Sequence, residues 1–360
     1  MSPLLYIVLT TGQCNLKCKY CGGSFPKELV PWEVQYSVKD LFNFISEDRD
    51  AIIAFYGGEP LLNPEFIEEV VKKIPAKRFV IQTNGLLIEN LKPEIWRRMD
   101  AVLLSIDGRR EITDFYRSKR VYDRVLKAAH KLRVMGFKGD LIARMTVSEK
   151  SDVFLDVKHL IELNLFHHVH WQLDVIWSDS WVDFDGWVSS SYKPGISKLV
   201  DLWLRCMERG EVLGIVPFQG VMKAILQGGI GSPPCGSGRN AFAISTDGRI
   251  LACPIAVDVG WAFLGYIWQT KPKELRNSVL IGEPCVSCDF FKYCGGRCLY
   301  AYKERLWGEE GFRKVCEITK YMISKLLKVS LKVRQLIEAG IIDLKQVLYP
   351  EFNNTTEIIP

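Results

Sequence analysis

Residues 4–23 read LLYIVLTTGQCNLKCKYCGG, an apolar run of strand character that leads directly into a loop carrying Cys14, Cys18 and Cys21. A short run of apolar, β-branched residues bounded by turn residues is the sequence form of a buried strand. The form recurs at 51–57 (AIIAFYG), 78–83 (RFVIQT), 101–106 (AVLLSI), 141–147 (LIARMTV) and 168–174 (HVHWQLD). Between these runs, residues 35–47, 64–74, 121–135 and 152–163 place apolar side chains three and four apart, the amphipathic-helix period. Strands alternating with helices predict a parallel sheet, either an incomplete (β/α) barrel or a doubly wound sheet. Such sheets bind ligands at the carboxyl ends of their strands. The three cysteines follow the first strand, GGEP (57–60) the second and TNG (83–85) the third, while SIDG (105–108) closes the fourth. Every unusual polar motif of this half therefore falls on one rim.

Composition narrows the class. A chain of 360 residues exceeds the size at which one core stops growing, which predicts one large domain and a smaller one. The formal charge of +5, with no run of five or six like charges, gives no electrostatic footprint for nucleic acid. The N-terminus has no basic region before its short apolar stretch, and no uninterrupted apolar run reaches eighteen residues. Neither a signal peptide nor a membrane span is expected, and the chain reads as cytoplasmic. Eleven cysteines in such a chain point to metal or redox chemistry rather than to disulfides.

After residue 175 the texture changes. WSDSWVDFDGWVSSSYKPG (177–195) reads as an irregular linker and 196–209 as a helix. Residues 228–300 are rich in Gly, Pro and Cys, with short β signals only around 241–252, so their order needs another source, such as bound metal. Residues 312–345 read as a helix whose apolar stripe, including Val315, Ile318, Met322 and Leu326, docks on the domain. The closing PEFNNTTEIIP reads as frayed.

A cubane of four irons and four sulfides is usually held by four thiolates, so three leave one iron for another ligand. Structural zinc wants a fourth ligand close by, yet no Cys or His occurs between Cys21 and His130. The C-x3-C-x2-C stretch, with Tyr20 just before its third cysteine, resembles the signature of the radical S-adenosylmethionine (SAM) superfamily. The resemblance implies a [4Fe-4S] cluster on Cys14, Cys18 and Cys21 whose fourth iron binds SAM. Reductive cleavage then gives methionine and a 5'-deoxyadenosyl radical that abstracts a substrate hydrogen. It implies that GGEP, through Gly57, Gly58 and Glu59, meets the SAM amino group, that Ser105 lies near the ribose and that Arg117 pairs with the SAM carboxylate. Gln82 is a further SAM-contact candidate.

In the second half, Cys235, Gly248 and Cys253 precede Cys285-x2-Cys288-x5-Cys294-x3-Cys298, and Cys316 follows. This resembles, cysteine for cysteine, the seven-cysteine SPASM extension of radical SAM enzymes that modify peptides and proteins. By that resemblance, Cys285, Cys288, Cys294 and Cys316 ligate one auxiliary [4Fe-4S] cluster, and Cys235, Cys253 and Cys298 a second. The second set lacks a fourth thiolate: either Cys206 supplies it or that iron stays open, and Cys206 alone reads as a buried helix thiol. Zinc is the rival for the four cysteines at 285–298, but it leaves Cys235, Cys253 and Cys316 idle.

Two further features are candidates. On the sixth strand His168, His170 and Gln172 alternate with Val169, Trp171 and Leu173, so the polar set either faces a barrel interior or packs as ordinary polar residues. Asp258, five residues past Cys253, is the candidate base near an auxiliary cluster. The resulting expectation is an incomplete (β/α)6 TIM-like barrel over 1–175, a bridging region over 176–230, a loop-rich SPASM domain over 231–318 and a C-terminal helix and tail over 319–360. The expected function is hydrogen abstraction from a peptide or protein substrate, with reduction by a partner such as flavodoxin or ferredoxin. Maturation of a small cofactor, or electron carriage without chemistry, are the alternatives. Because the first strand begins so near the N-terminus, any leader recognition is expected to need a separate peptide-binding protein.

Overall fold

The computed structural model describes residues 3–175 and 181–349. All six apolar runs form strands: β1 (Leu5–Leu9), β2 (Ile52–Tyr56), β3 (Arg78–Thr83), β4 (Ala101–Ser105), β5 (Asp140–Val147) and β6 (His168–Leu173). They are parallel, and each pairs with its predecessor in the chain. A doubly wound sheet reverses its order at a switch point, whereas this order runs uninterrupted from β6 to β1, as in part of a (β/α) barrel.

Alternation along the strands makes two cores. Leu5, Ile7, Leu9, Ile52, Ala54, Val80, Leu103 and Ile142 fill the inner face. Tyr6, Val8, Ile53, Phe55, Phe79, Ile81, Val102 and Leu104 face outward against helix residues such as Leu41, Ile67, Val70, Val125 and Leu160. The helices start where local chemistry directs. Val38–Ile45 begins on a capping box, with Asp40 N–H donating to Ser37 Oγ at 3.1 Å and Ser37 N–H to Asp40 Oδ2 at 2.9 Å. Val153–Glu162 is capped by Asp152, whose carboxylate accepts from Leu155 N–H at 2.9 Å.

Past residue 180 the structure departs from the sequence expectation. The stretch read as linker is helical from Phe184–Trp187 through a π-turn at Val188–Tyr192 into Lys193–Met207. Its order comes from aromatic packing: Trp181 meets Trp187 at 4.8 Å and Phe184 at 5.3 Å, and Phe184 meets Trp307 at 5.6 Å. Residues 177–180 of that stretch, and the tail 350–360, lie outside the described residues. An unanticipated helix, Val216–Gln227, follows. Before it, Gly214 C=O accepts from Val169 N–H at 2.7 Å, covering part of the β6 edge.

The cysteine-rich half is joined to the same sheet. β7 (Ala241–Ile244) pairs parallel with β1, and β8 (Arg249–Leu251) and β9 (Phe263–Tyr266) follow antiparallel. The helix Gly308–Glu338 packs on Lys193–Met207 and Val216–Gln227 and passes unbroken through the boundary expected at 318/319, with Cys316 inside it. Its buried stripe includes Val315, Ile318, Met322 and Leu326, as the pattern predicts. Tyr349 is buried in the inner core with its ring against His168 at the amino end of β6. Among the described residues no helix is long and apolar enough to cross a membrane.

Candidate functional site

The rim at the carboxyl ends of β1–β6 encloses a cavity of about 240 Å³. Its walls bring together Cys14, Cys18, Tyr20, Cys21, Gly57, Gly58, Glu59, Gln82, Ser105 and Arg117, all ten residues that sequence reasoning placed there. Backbone contacts explain the convergence. Gly58 N–H donates to Thr11 C=O at 3.0 Å and Glu59 N–H to Gln13 C=O at 2.8 Å, so the GGEP turn lies along the segment leading into Cys14. Both glycines are required by this approach. A Cβ on Gly57 would sit 2.3 Å from the Thr11 carbonyl oxygen, and one on Gly58 2.2 Å from that of Gln13. Asn84 Nδ2 donates to Asn15 Oδ1 at 2.7 Å, which ties the turn after β3 to the same loop.

Glu59 organises the rim from beneath. Its Oε1 accepts from Leu61 N–H at 3.1 Å and from Thr83 Oγ1 at 2.5 Å, and its Oε2 accepts from Asn84 N–H at 2.8 Å. Burial pushes its carboxyl up to about 7 against the pull of these hydrogen bonds. Among the thiols, burial raises Cys14 to about 11, and a hydrogen bond shared between Cys18 and Cys21 raises the former and lowers the latter. Arg117 is committed in part: Nε and Nη2 donate to Oδ2 and Oδ1 of Asp107, each at 2.8 Å. A fork held by a buried carboxylate is a different arrangement from a guanidinium waiting for SAM alone.

Among the described residues, no three His, Cys, Asp or Glu side chains converge closely enough to hold a single metal ion. Three thiols that nevertheless line one cavity suit a body with separated corners, such as a cubane, better than one zinc ion. A second cavity, of about 470 Å³, is lined by Cys285, Cys288, Cys294 and Cys316, the four cysteines that the family resemblance groups on one auxiliary cluster. Burial raises Cys285 to about 11, with the charges of Cys316, Cys294 and Cys288 adding to the shift. Of the remaining three, Cys235 lies 3.2 Å from Ser237 Oγ, which also hydrogen-bonds Cys253. Cys253 and Cys298 both bear on the phenol of Tyr300, which burial pushes up to about 12.

One candidate falls elsewhere, and a second lies outside both cavities. Cys206 sits in the last turn of Lys193–Met207 against the outer core, and none of the groups perturbing its thiol is another cysteine. Asp258 is exposed and lines neither of the two cavities, but its charge acts on the same Tyr300 phenol as Cys253 and Cys298. The polar face of β6 does point inward: His170 is fully buried, and Gln172 lines the rim cavity beside Arg144 of β5, whose Nη2 donates to its Oε1. His168 bonds Asp140 at 2.7 Å, away from the rim. Arg144, Thr146, Asp174, Asn84 and Asp107 were not singled out from sequence. Arg144 and Thr146 share the inward phase of β5, a signal that alternation carried.

Residues 8–151 match the Radical SAM superfamily. This chain carries a radical SAM domain. The superfamily implies SAM and a [4Fe-4S] cluster. The chain is 27% identical to the cysteine-type anaerobic sulfatase-maturating enzyme of Clostridium perfringens, over 83% of this chain and 89% of that one. It is 26% identical to the mycofactocin maturase MftC of Mycobacterium tuberculosis, over 83% and 79%. Its fold is like that of native anSMEcpe with bound AdoMet, with a TM-score of 0.71 at 21% identity over 91% of this chain and 100% of that one. It is also like Streptococcus suis SuiB bound to precursor peptide SuiA, with a TM-score of 0.57 at 16% identity over 86% and 75%. Around the radical SAM domain, the likeness thus extends through the cysteine-rich half.

Proposed function

We propose that this protein is a radical SAM enzyme that abstracts a hydrogen from a peptide or protein substrate, with two auxiliary iron-sulfur clusters assisting oxidation or cross-linking. Cys14, Cys18 and Cys21 would hold the SAM-binding cluster, and that cluster supplies the electron that splits SAM. Gly57, Gly58 and Glu59 would receive the amino end of SAM, with Gln82 and Ser105 further along the same wall. Cys285, Cys288, Cys294 and Cys316 would hold one auxiliary cluster, and Cys235, Cys253 and Cys298 the other, leaving one iron of the latter without a protein thiolate. Residues 231–318 would form the SPASM unit. A small electron-transfer protein would supply the reducing equivalents.

The observation that carries this reading is the convergence of ten motif residues, from the cysteine loop, the ends of β2, β3 and β4 and the end of the helix Arg110–Tyr116, on one cavity. An electron carrier has no need of it. The peptide class rests on the named activities of the relatives. Asp258, exposed but acting on the Tyr300 phenol with Cys253 and Cys298, would be the candidate base beside the second auxiliary cluster. Anaerobic reconstitution, reduction and incubation with SAM test the reading: 5'-deoxyadenosine should accumulate, with iron and sulfide near three clusters per chain. Intact SAM after full reduction would overturn it.

A further inference from the structure

Asp107, the third residue of SIDG, is fully buried, and the structure gives its carboxylate four donors. Arg117 Nε and Nη2 reach Oδ2 and Oδ1 at 2.8 Å each, Tyr20 O–H reaches Oδ2 at 2.8 Å and Thr146 N–H reaches Oδ1 at 2.9 Å. A carboxylate offers about four lone-pair sites, so this one is saturated and is not available as a base. The Arg117 guanidinium in turn lies 5.6 Å from the centroid of the Tyr20 ring, and Tyr20 stands between Cys18 and Cys21. Lys19 N–H donates to Tyr116 C=O at 2.9 Å, so the cysteine loop is pinned to the end of the helix Arg110–Tyr116 at two adjacent residues.

The charge matters as much as the pinning. Arg117 lines the same cavity as Cys14, Cys18 and Cys21, which places its cation beside all three thiols. In a dry interior such a charge is weakly screened. A cluster gains a negative charge on reduction, so a bare cation beside it favours the reduced form and weakens its reducing power. Cleaving SAM requires the opposite.

We propose that Asp107 is a positioning residue that, through Arg117 and Tyr20, anchors the cysteine loop while cancelling the guanidinium charge beside it, keeping the SAM-binding cluster strongly reducing. The inference rests on the cluster assignment above. It assigns Arg117 a structural partner in addition to any contact with SAM: two of its five N–H groups are already committed to Asp107.

The test is a potentiometric titration of the cluster whose EPR signal changes on adding SAM, in the full-length, fully reconstituted protein. Asp107→Asn should raise the midpoint potential and Arg117→Gln should lower it. The double substitution should return it towards the wild-type value, and Arg117→Lys, which keeps the charge but breaks the fork, should shift it less than Arg117→Gln. Tyr20→Phe, which removes one anchor and no charge, should leave the potential in place but speed amide exchange over residues 14–23. Single substitutions that leave the potential unmoved, or move it in the same direction, would overturn the proposal. Where Asp107→Asn fails to take up iron, the Arg117→Lys and Arg117→Gln pair decides alone. A wild-type protein lacking any SAM-responsive signal would instead defeat the cluster assignment, so the two failures are distinct.

Discussion

Replacing Glu59 by Gln should change how stability depends on pH more than it changes stability at any one pH. The carboxyl is 1% exposed and its folded pKa stands at about 7, against 4.5 for an ordinary Glu. A raised carboxyl pKa means that the native state holds a proton the unfolded chain has released. Between about 4.5 and 7 stability therefore falls as pH rises, and above the folded pKa the loss is complete. The difference, at 1.36 kcal/mol per unit, amounts to about 3 kcal/mol. Gln carries no titrating group and loses this slope. It adds a penalty independent of pH, of about 1–3 kcal/mol, because its amide N–H₂ must face the N–H of Asn84 or that of Leu61 and the hydroxyl of Thr83. Anaerobic urea denaturation of both proteins from pH 4.5 to 8 checks this. The stability of wild type minus that of Glu59→Gln should fall by about 3 kcal/mol across the window. A difference that stays constant with pH would show that Glu59 is not protonated in the native state near neutrality and would refute the reasoning.

The other predictions follow from single contacts. Gly57→Ala places a methyl 2.3 Å from the Thr11 carbonyl oxygen at a backbone φ of 137°, and should cost about 2 kcal/mol or more in denaturation and abolish 5'-deoxyadenosine release. Cys316→Ala should remove about four irons and four sulfides per chain by elemental analysis, whereas Cys206→Ala, in the outer core, should remove none. A chain truncated after residue 230 should fail to give a cooperative unfolding transition, because β1 would lose its β7 partner and expose an edge of the sheet.

The barrel half was legible because its strands are buried on both faces and so read as continuous apolar runs; β3 begins and ends where the run 78–83 does. The second half was legible only in part: the helix read at 196–209, the β signals around 241–252 and the stripe of the long helix are all present, but other elements gave no signal. β9 is FLGY, half exposed and containing Gly, and offers no periodic signal in four residues. The helix Val216–Gln227 carries Pro217 at its start and Gly220 inside, and the helical turn at 188–192 contains three consecutive serines, so tertiary packing rather than propensity orders both. In the site, cysteines and GGEP announced themselves by residue type and spacing. Asp107 did not, because an Asp before a Gly reads as an ordinary turn, and only the meeting of Tyr20, Arg117 and Thr146 on its oxygens gives it a role.

Sequence also divided the chain where the structure joins it. β7 pairs with β1 from Leu5↔Ala241 to Val8↔Ile244, so the strand that leads into Cys14 lies between the barrel and the cysteine-rich half. β8 then ends at Leu251, two residues before Cys253. The consequence appears at Tyr56, the last residue of β2, whose side chain lines the rim cavity. Burial pushes its phenol up to about 12, and the charges acting on it include those of Cys14 and Cys21 from the rim and Cys253 from the other half. One side chain on the rim thus senses both sets of thiols. Two independently packed domains joined by a linker would leave their separation free to vary, whereas a hydrogen-bonded ladder shared by β1 and β7 fixes it, and a fixed separation is what electron transfer between a substrate radical and an auxiliary cluster would require.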